Sequence, residues 1–233
     1  MAFRDELYGR YVSTFKGATH AADEWWTYKY LPLLREVGRD ADILEIGCGG
    51  GELLAFLGRH GFGNARGVDV STEQVALAQL RSVRAEVRDA FDVLAERQAH
   101  DVLLAVDVLE HFSRDELVRL APLLFGALKP GGMLLAQTAN GAGLFPRQVI
   151  YGDLTHLTIF TPESLAQLLR SCGFEHLSFY ETGPIPLRVR GKLNVAAWHA
   201  LKAAANLMRT IETGKRQSIW TENFICLARR PAA

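Results

Sequence analysis

The stretch DILEIGCGGGELLAFLGRHG, residues 42–61, constrains the fold more than any other part of the sequence. A short apolar run over 43–46 leads into glycines at 47 and 49–51, and an amphipathic stretch over 51–60 follows. Glycine is favoured where the backbone turns at positive φ or approaches a ligand closely. The pattern predicts a strand, a tight turn and a helix whose N-terminus favours a small anion.

Short apolar runs alternate with helical patterns along the rest of the chain. Ser71 with Gln74 and Ser113 with Glu116 have capping-box spacing, and Thr161 precedes a proline at a first helical position. The predicted strands are 43–46, 65–70, 84–88, 102–107, 133–139, 176–181 and 224–230. The predicted helices are 51–60, 71–81, 113–127, 161–172 and 193–209. This alternation predicts an α/β fold with a doubly wound, mostly parallel sheet covered by helices on both faces.

The charge of the whole chain is balanced, with 26 Lys and Arg against 26 Asp and Glu. No net field draws the protein to nucleic acid or to an anionic membrane, so nucleic acid is not expected as a partner. No apolar run approaches membrane-spanning length, and the charged first ten residues are unlike a secretory signal. Cys48, Cys172 and Cys226 are too far apart for a disulfide framework or a metal motif, so a cytoplasmic protein is expected.

Acidic residues stand at the ends of four predicted strands: Glu45, Asp69, Asp89 and Asp107. The carboxyl ends of parallel strands share one edge of a sheet, so these side chains are expected around one pocket. Such a pocket suits a cationic, ribose-bearing ligand and disfavours phosphate. Asp69 is placed to accept hydrogen bonds from ribose hydroxyls, and Asp89 with the backbone of Ala90 is placed to meet an adenine edge.

The glycine pattern alone admits two other interpretations. A dinucleotide site has the spacing G-x-G-x-x-G, which these glycines do not follow, and Glu52 would sit poorly beside a pyrophosphate. A tight turn without a ligand is the second alternative, because a glycine motif by itself is a weak indication. Each acid, taken alone, also suits a helix cap.

Together these motifs resemble those of class I S-adenosylmethionine-dependent methyltransferases. The matching segments are ILEIGCGGG, GVDVS, VRDA, HDVLLAVDVLEH and LKPGG, in the family's order. The resemblance implies a Rossmann-like, seven-stranded sheet with an antiparallel last strand, and S-adenosylmethionine as the cofactor. It implies a cofactor site made of Glu45, Gly47, Cys48, Gly49, Gly51, Asp69, Val70, Asp89, Ala90 and Asp107.

The segment YGDLTHLTIFTPESLAQLLRSCGF, 151–174, bears on the methyl acceptor. It resembles small-molecule methyltransferases of bacterial polysaccharide and secondary-metabolite pathways, which are related to ubiquinone-pathway O-methyltransferases. In the latter, an acid, a Glu-His pair and a later His hold a divalent metal such as Mg. The matching positions here are Asp107, Glu110, His111 and His156, and the chain departs from the pattern in having Asp107 where that family has Glu.

Three roles are open for His111 and His156. They bind a metal with Glu110, since mixed nitrogen and oxygen ligands suit divalent ions. Alternatively, one of them is a catalytic general base for an acceptor hydroxyl. In the third case both are loop residues that satisfy backbone carbonyls.

Two regions lie outside the resemblance. Residues 1–39 are expected to form an N-terminal helical cap, and its aromatic residues either cover the cofactor as a lid or join the core. These aromatics are Tyr8, Tyr11, Phe15, Trp25, Trp26, Tyr28 and Tyr30. Residues 40–233 are expected to form the cofactor-binding domain, with a helical insertion over 183–223 whose helix packs on the sheet or forms a homodimer face. The insertion is locally basic, which suits an acidic or phosphorylated acceptor or a solvated face, through Arg188, Arg190, Lys192, Lys215 and Arg216.

With the resemblance, the sequence predicts an O-methyltransferase that acts on a hydroxyl of a small metabolite, with a sugar or saccharide as the expected class. An NAD-type oxidoreductase on a similar sheet is one alternative, and a non-catalytic cofactor-binding partner is another.

Overall fold

The computed structural model describes residues 23–232, so the predicted helical segment before residue 23, with Tyr8, Tyr11 and Phe15, lies outside the described residues. The helices are α1 (Asp23–Lys29), α2 (Glu52–Arg59), α3 (Thr72–Leu80), α4 (Ala90–Leu94), α5 (Arg114–Ala127), α6 (Pro146–Tyr151), α7 (Pro162–Ser171) and α8 (Val189–Thr213). The strands are β1 (Ile43–Ile46), β2 (Ala65–Asp69), β3 (Arg84–Val87), β4 (His100–Val106), β5 (Leu128–Ala139), β6 (Glu175–Glu181) and β7 (Asn223–Arg229). Short 3-10 helices span Leu31–Leu34 and Leu109–His111.

The described strands form one seven-stranded sheet in the order β3-β2-β1-β4-β5-β7-β6. β1 to β5 pair in parallel, and β7 lies antiparallel between β5 and β6. The predicted fold class, including the antiparallel last strand, is confirmed. The carboxyl ends of β1, β2 and β4 therefore meet at one edge of the sheet.

The core lies on both faces of the sheet, as expected for parallel strands that are covered by helices on both sides. β1 is buried along its whole length. Leu44 packs in a cluster that includes residues of α5 and α7, whereas Ile43 packs in a cluster that includes residues of α1 and α2. Trp26 and Tyr30 belong to the second cluster, so the described part of the predicted N-terminal cap packs into the core. The domain boundary at residue 39 stays a prediction.

The predicted caps begin α5 and α7. Ser113 and Glu116 make both bonds of a capping box, and Thr161 caps α7 with Pro162 at its first position. Ser71 accepts from the Gln74 backbone N–H at 3.4 Å. Its own N–H donates to Asp69 Oδ1 at 2.8 Å, so the start of α3 is tied to the end of β2.

Two elements are longer than the sequence predicts by several residues. β5 begins at Leu128 instead of 133, because Leu128 pairs with His100 across a register shift. α8 spans Val189–Thr213 instead of 193–209, and it ends at Gly214 in the left-handed conformation with φ of 69°. Within residues 23–232, no helix combines the length and the apolar character needed to cross a bilayer.

Candidate active site

A cavity of about 410 Å³ lies at the carboxyl ends of β1, β2 and β4. Most of the predicted cofactor residues line it, namely Glu45, Gly47, Cys48, Gly49, Asp69, Val70, Asp89, Ala90 and Asp107. His111 also lines the cavity, whereas Gly51, Glu110 and His156 do not. The topology thus brings the acidic strand ends together, as the sequence predicts.

Glycines at positive φ shape the loop between β1 and α2. The φ angle is 64° at Gly47 and 52° at Gly49. A Cβ on Gly47 would lie 2.5 Å from Val108 Cγ2, whereas a Cβ on Gly49 would lie 3.8 Å from Gln74 Oε1. Gly47 is therefore needed for close packing, and Gly49 presents its backbone to the cavity.

Gly51 has a packing role. It is the N-cap of α2 with φ of 76°, and a Cβ there would lie 2.7 Å from Val83 Cγ2 and 2.8 Å from Ala78 Cβ. Gly51 is thus packed closely against α3 and against the loop that follows α3. Gly51 does not line the cavity, so its predicted contact with the cofactor has no support in the structure.

Asp69 ties the glycine loop to α3. Its Oδ2 accepts from the Gly49 N–H at 2.9 Å, and its Oδ1 accepts from the Ser71 N–H at 2.8 Å. A carboxylate offers about four acceptor sites, so these bonds are compatible with accepting ribose hydroxyls as well. Asp89 likewise caps α4, because its Oδ1 accepts from the Phe91 N–H at 2.7 Å.

Glu45 is a buried acid on the cavity wall. It is 3% exposed, and its Oε2 has no hydrogen-bond partner among the described residues. Burial, and then the carboxylates of Glu52 and Asp69, raise the pKa of Glu45 well above its usual range. Burial, and then the carboxylates of Glu45 and Asp69, raise the pKa of the Cys48 thiol, which is therefore neutral. A buried acceptor of this kind is satisfied by a ligand that donates hydrogen bonds or carries positive charge.

Asp107 is held at the end of β4 by amide side chains. Gln137 Nε2 donates to both of its carboxylate oxygens at 3.1 Å, and Asn223 Nδ2 donates to Oδ1 at 3.2 Å. The Tyr30 hydroxyl donates to Gln137 Oε1 at 2.9 Å, which fixes the orientation of that amide. The network joins the segment after α1 to β5, β7 and the cavity.

The loop after β4 is joined to the segment before α7. The backbone N–H groups of Leu157 and Thr158 donate to Glu110 O at 2.8 and 3.0 Å. The Thr158 hydroxyl donates to Phe112 O at 2.8 Å. These bonds bring Thr155 beside His111, although the two residues are 44 positions apart in the sequence.

His111 is held in one tautomer by Thr155 and Asp153. The Thr155 hydroxyl donates to Asp153 Oδ1 at 2.6 Å, which uses its single proton. His111 Nδ1 lies 2.9 Å from Thr155 Oγ1 and 3.3 Å from Thr155 O. Both oxygens can only accept, so Nδ1 carries the ring proton. In the neutral ring Nε2 then holds the lone pair, which is the state that a general base requires.

His156 lies behind His111 and outside the cavity. The two rings are 4.9 Å apart with an interplanar angle of 66°. His156 Nδ1 donates to Val149 O at 2.8 Å, so it satisfies a backbone carbonyl as the third sequence-based interpretation describes. Its contact with the site is the packing of its ring against His111.

Glu110 is buried and turned toward β5. It is 2% exposed, its Oε2 accepts from the Thr138 hydroxyl at 2.9 Å, and its carboxylate also accepts from the Ala139 N–H. Burial, and then Asp107, raise the pKa of Glu110 to about 8. Its surroundings therefore favour the protonated acid over a metal-binding carboxylate.

The predicted metal centre is not formed by these side chains. In residues 23–232, no group of three or more His, Cys, Asp or Glu side chains is arranged to hold a metal ion. The physical reason is that each predicted ligand is engaged elsewhere: Asp107 with amides, Glu110 with β5, His111 with Thr155 and His156 with Val149.

Several cavity residues were not identified from the sequence. Gln74, Arg88, Val108, Phe112 and Gln137 line the cavity. Gln137 could have been identified as a candidate, because it is a polar residue inside the apolar run MLLAQTA. Trp25 and Trp26 also line the cavity, and the burial of Trp26 agrees with the core role, whereas the lid role of these aromatic residues stays a prediction.

The chain matches a known protein family over most of its length. Residues 19–178 match the family described as a methyltransferase domain, which is more than half of the chain. The chain belongs to this methyltransferase family.

Relatives of the methyltransferase support this assignment. The ubiquinone biosynthesis O-methyltransferase of Burkholderia pseudomallei is 27% identical over 174 residues, which cover 65% of this chain and 72% of that protein. A SAM-dependent methyltransferase from Archaeoglobus fulgidus has a TM-score of 0.68 at 19% identity, over 95% of this chain and 99% of that one. Phosphoethanolamine N-methyltransferase 2 of Haemonchus contortus, crystallised with S-adenosylhomocysteine, has a TM-score of 0.62 at 17% identity, over 98% of this chain and 58% of that one. At these identities the structural likeness shows the shared fold.

The methyltransferase depends on S-adenosylmethionine, and the cavity fits that cofactor. The orphaned Glu45 oxygen suits its cationic amino group, and Asp69 offers acceptors for its ribose. The family assignment shows that the oxidoreductase alternative is wrong and that the chain is an enzyme, so the non-catalytic alternative is set aside as well. The five basic residues predicted to recognise an acidic acceptor do not line the cavity.

Proposed function

We propose that this methyltransferase transfers a methyl group to a hydroxyl of a small metabolite. The observation that carries the proposal is the position of His111, a cavity residue whose Nδ1 faces two accepting oxygens of Thr155, so that the ring proton is assigned to Nδ1 and the lone pair to Nε2. A neutral hydroxyl is a weak nucleophile and needs a base, whereas a neutral amine attacks without one. A fixed base at the cavity therefore favours an oxygen acceptor, in line with the O-methyltransferase name of the Burkholderia relative.

In the proposed mechanism, bound S-adenosylmethionine supplies a methyl group activated on a sulfonium. Glu45, Asp69 and the backbone of Gly49 hold the cofactor. His111 takes the proton of the acceptor hydroxyl at Nε2, which makes the oxygen more nucleophilic. The imidazolium that forms is stabilised by the hydrogen bond from Nδ1 to Thr155, whose own hydroxyl donates to Asp153. Holding the oxygen and the methyl group in line supplies much of the remaining acceleration.

The acceptor class follows from the resemblance of 151–174 to enzymes of polysaccharide pathways, so saccharides and nucleotide sugars are the first compounds to test. The assay measures release of S-adenosylhomocysteine from purified protein with each compound. We expect turnover with at least one hydroxyl acceptor. Methyl transfer to amines alone would contradict the proposed acceptor.

The role of His111 is tested with the acceptor found in that screen. His111→Gln is expected to lower turnover by about 10²–10⁴-fold while cofactor affinity by calorimetry changes less than about twofold. The exposed His199, changed to Gln, is the matched control and should keep full activity. Normal turnover of His111→Gln would exclude it as the base.

A chelator distinguishes a histidine base from a metal ion as the group that activates the acceptor hydroxyl. Glu110 is buried against β5 and His111 is hydrogen-bonded to Thr155, so neither side chain is arranged to bind a metal. We therefore expect activity to persist in excess chelator. Loss of activity that added Mg²⁺ restores would instead favour the metal role implied by the ubiquinone-pathway resemblance.

A further inference from the structure

Helix α8 packs on the body of the protein along one side. Trp198 Nε1 and Lys202 Nζ donate to Glu181 Oε2 at 3.2 and 2.7 Å, and Ala205 is buried. At 3.6 residues per turn these three residues share one side of the helix. This side attaches α8 to the end of β6.

The opposite side of α8 is apolar over its whole length and carries no charge. We refer to it as the apolar stripe, and its members are the exposed residues Val189, Leu193, Ala196, Ala197, Ala200, Ala203, Ala204, Leu207 and Ile211. Leu193, Leu207 and Ile211 are 65%, 64% and 79% exposed. Scattered exposed apolar residues are ordinary, but a contiguous stripe along a 25-residue helix indicates a binding surface.

Basic residues lie near both ends of the apolar stripe. Arg190 and Lys192 lie on either side of it, about 80° from its centre line at 100° per residue. The exposed cations near the two ends of the helix are Arg188, Arg190, Lys192, Lys215 and Arg216. Between residues 186 and 216 the sequence contains one acid, Glu212. Arg188 forms a surface ion pair with Glu24 at 3.4 Å, and such exposed pairs are weak.

We propose that α8 docks this methyltransferase on an anionic lipid bilayer, with the apolar stripe at the headgroup boundary and the flanking cations on lipid phosphates. An amphipathic helix with an apolar face and basic flanks lies in the plane of such an interface. α8 does not cross the bilayer, since no described helix has the required length and apolar character. The balanced charge of the whole chain does not oppose docking, because the attraction acts within about 10 Å of the surface.

Charge complementarity favours lipid over a second copy of the chain. In a parallel pair, each cationic end of α8 would face the same end of its partner. In an antiparallel pair, Arg190 and Lys192 of one copy would approach Lys215 and Arg216 of the other. Both arrangements place like charges together, which disfavours association.

The experiment is co-sedimentation of the purified protein with two kinds of vesicle: phosphatidylcholine alone, and phosphatidylcholine with about one-third phosphatidylglycerol. We expect binding to the anionic vesicles that weakens with salt, and little binding to phosphatidylcholine. Each cation near an anionic surface strengthens binding about fivefold, so Arg190→Glu with Lys192→Glu should lower affinity by at least about 25-fold.

The apolar stripe is tested by Leu193→Asp with Leu207→Asp, which should abolish binding to the anionic vesicles. Both side chains are exposed, so the variant should keep its melting temperature, and Val118→Asp, at a 66% exposed residue of α5, is the matched control that should still bind. Vesicle binding is measured without an acceptor, so its outcome is independent of the proposed O-methyl transfer.

Three results would overturn the proposal: no binding to anionic vesicles, equal binding of the double Asp variant, or equal binding to phosphatidylcholine alone. A fourth would assign the stripe to a second copy. That result is a wild-type dimer in light scattering that Leu193→Asp with Leu207→Asp converts to a monomer, without vesicle binding by either protein.

Discussion

The two sides of the cavity are built in different ways. The cofactor side consists of strand ends and the turns that directly follow them, and Asp69 joins Gly49 to Ser71. The side that we propose for the acceptor depends on a hydrogen bond between His111 and Thr155, which are 44 residues apart. A local motif thus forms the first side, whereas contacts between distant segments form the second.

The buried acids of the two sides also differ. Glu45 lines the cavity with an oxygen that has no partner among the described residues, so a ligand can satisfy it. Glu110 lies outside the cavity and is satisfied by Thr138 and Ala139 of β5. An acid in a sequence motif therefore has opposite roles depending on whether the cavity or the core surrounds it.

The largest expected effect is on the pH dependence of the free energy of unfolding, which tests whether Glu110 is a buried, protonated acid. Its pKa is raised from 4.5 to about 8, so between those values the folded state holds a proton that the unfolded state has released. The free energy of unfolding should therefore fall as pH rises through this window, by up to about 1.4 kcal/mol per pH unit and a few kcal/mol in all. Glu110→Gln should make this decline less steep, with the remainder due to Glu45, whose pKa is also raised, as measured by urea unfolding from about pH 5 to about pH 8. The exposed Glu163, changed to Gln, should keep the wild-type slope, and an unchanged slope in Glu110→Gln would contradict the structural account.

Next in size is the contribution of Asp69 to the cofactor side. Asp69→Ala removes two hydrogen bonds within the loop and an acceptor for ribose, so affinity for S-adenosylmethionine should fall about 100-fold. Calorimetry measures this, and Asp69→Asn should lose less because one acceptor oxygen remains. Asp92→Ala, in the first turn of α4, is the control that should bind normally. Unchanged binding by Asp69→Ala would remove it from the cofactor site.

The two glycines of the loop should differ in stability. Alanine at positive φ costs about 1 kcal/mol at either position. Gly47→Ala adds a clash with Val108, which should cost a further 1–2 kcal/mol, about what overpacking costs. Gly49→Ala has room beside Gln74 and should be the more stable variant in thermal unfolding. The reverse order would show that Gly47 is not the tightly packed glycine.

The smallest expected effect concerns the hydrogen bond by which Thr155 orients His111. Thr155→Val removes the hydroxyl that bonds to His111 Nδ1 but keeps the backbone carbonyl at 3.3 Å. We expect kcat to fall about tenfold with KM nearly unchanged, because the ring is still present but less firmly oriented. Thr155→Ser keeps the hydroxyl and should restore most of the rate. A normal kcat in Thr155→Val together with a loss in Thr155→Ser would indicate a packing role for the methyl group instead.

The same difference explains what the sequence could predict. The strands, most caps and the cavity-lining acids follow from short patterns, as with Ser113 and Glu116 or Asp69 after β2. The acceptor side was predicted less well, since the burial of Glu110 and the bond from Thr155 to His111 depend on how β5 and the 155–158 segment pack. Gly51 shows the limit within a motif, because its requirement for glycine comes from Ala78 of α3.

The position of β7 has a consequence for biosynthesis. β7 follows every other strand in the chain, yet it lies inside the sheet between β5 and β6. While a ribosome is still making α8, β6 has no strand to pair with, and the exposed edge of β5 waits for the same partner. The sheet is therefore completed only after translation has passed Asn223. A chain cut before Asn223 would expose one edge of β5 and leave β6 unpaired, and open strand edges of this kind promote aggregation and attract chaperones.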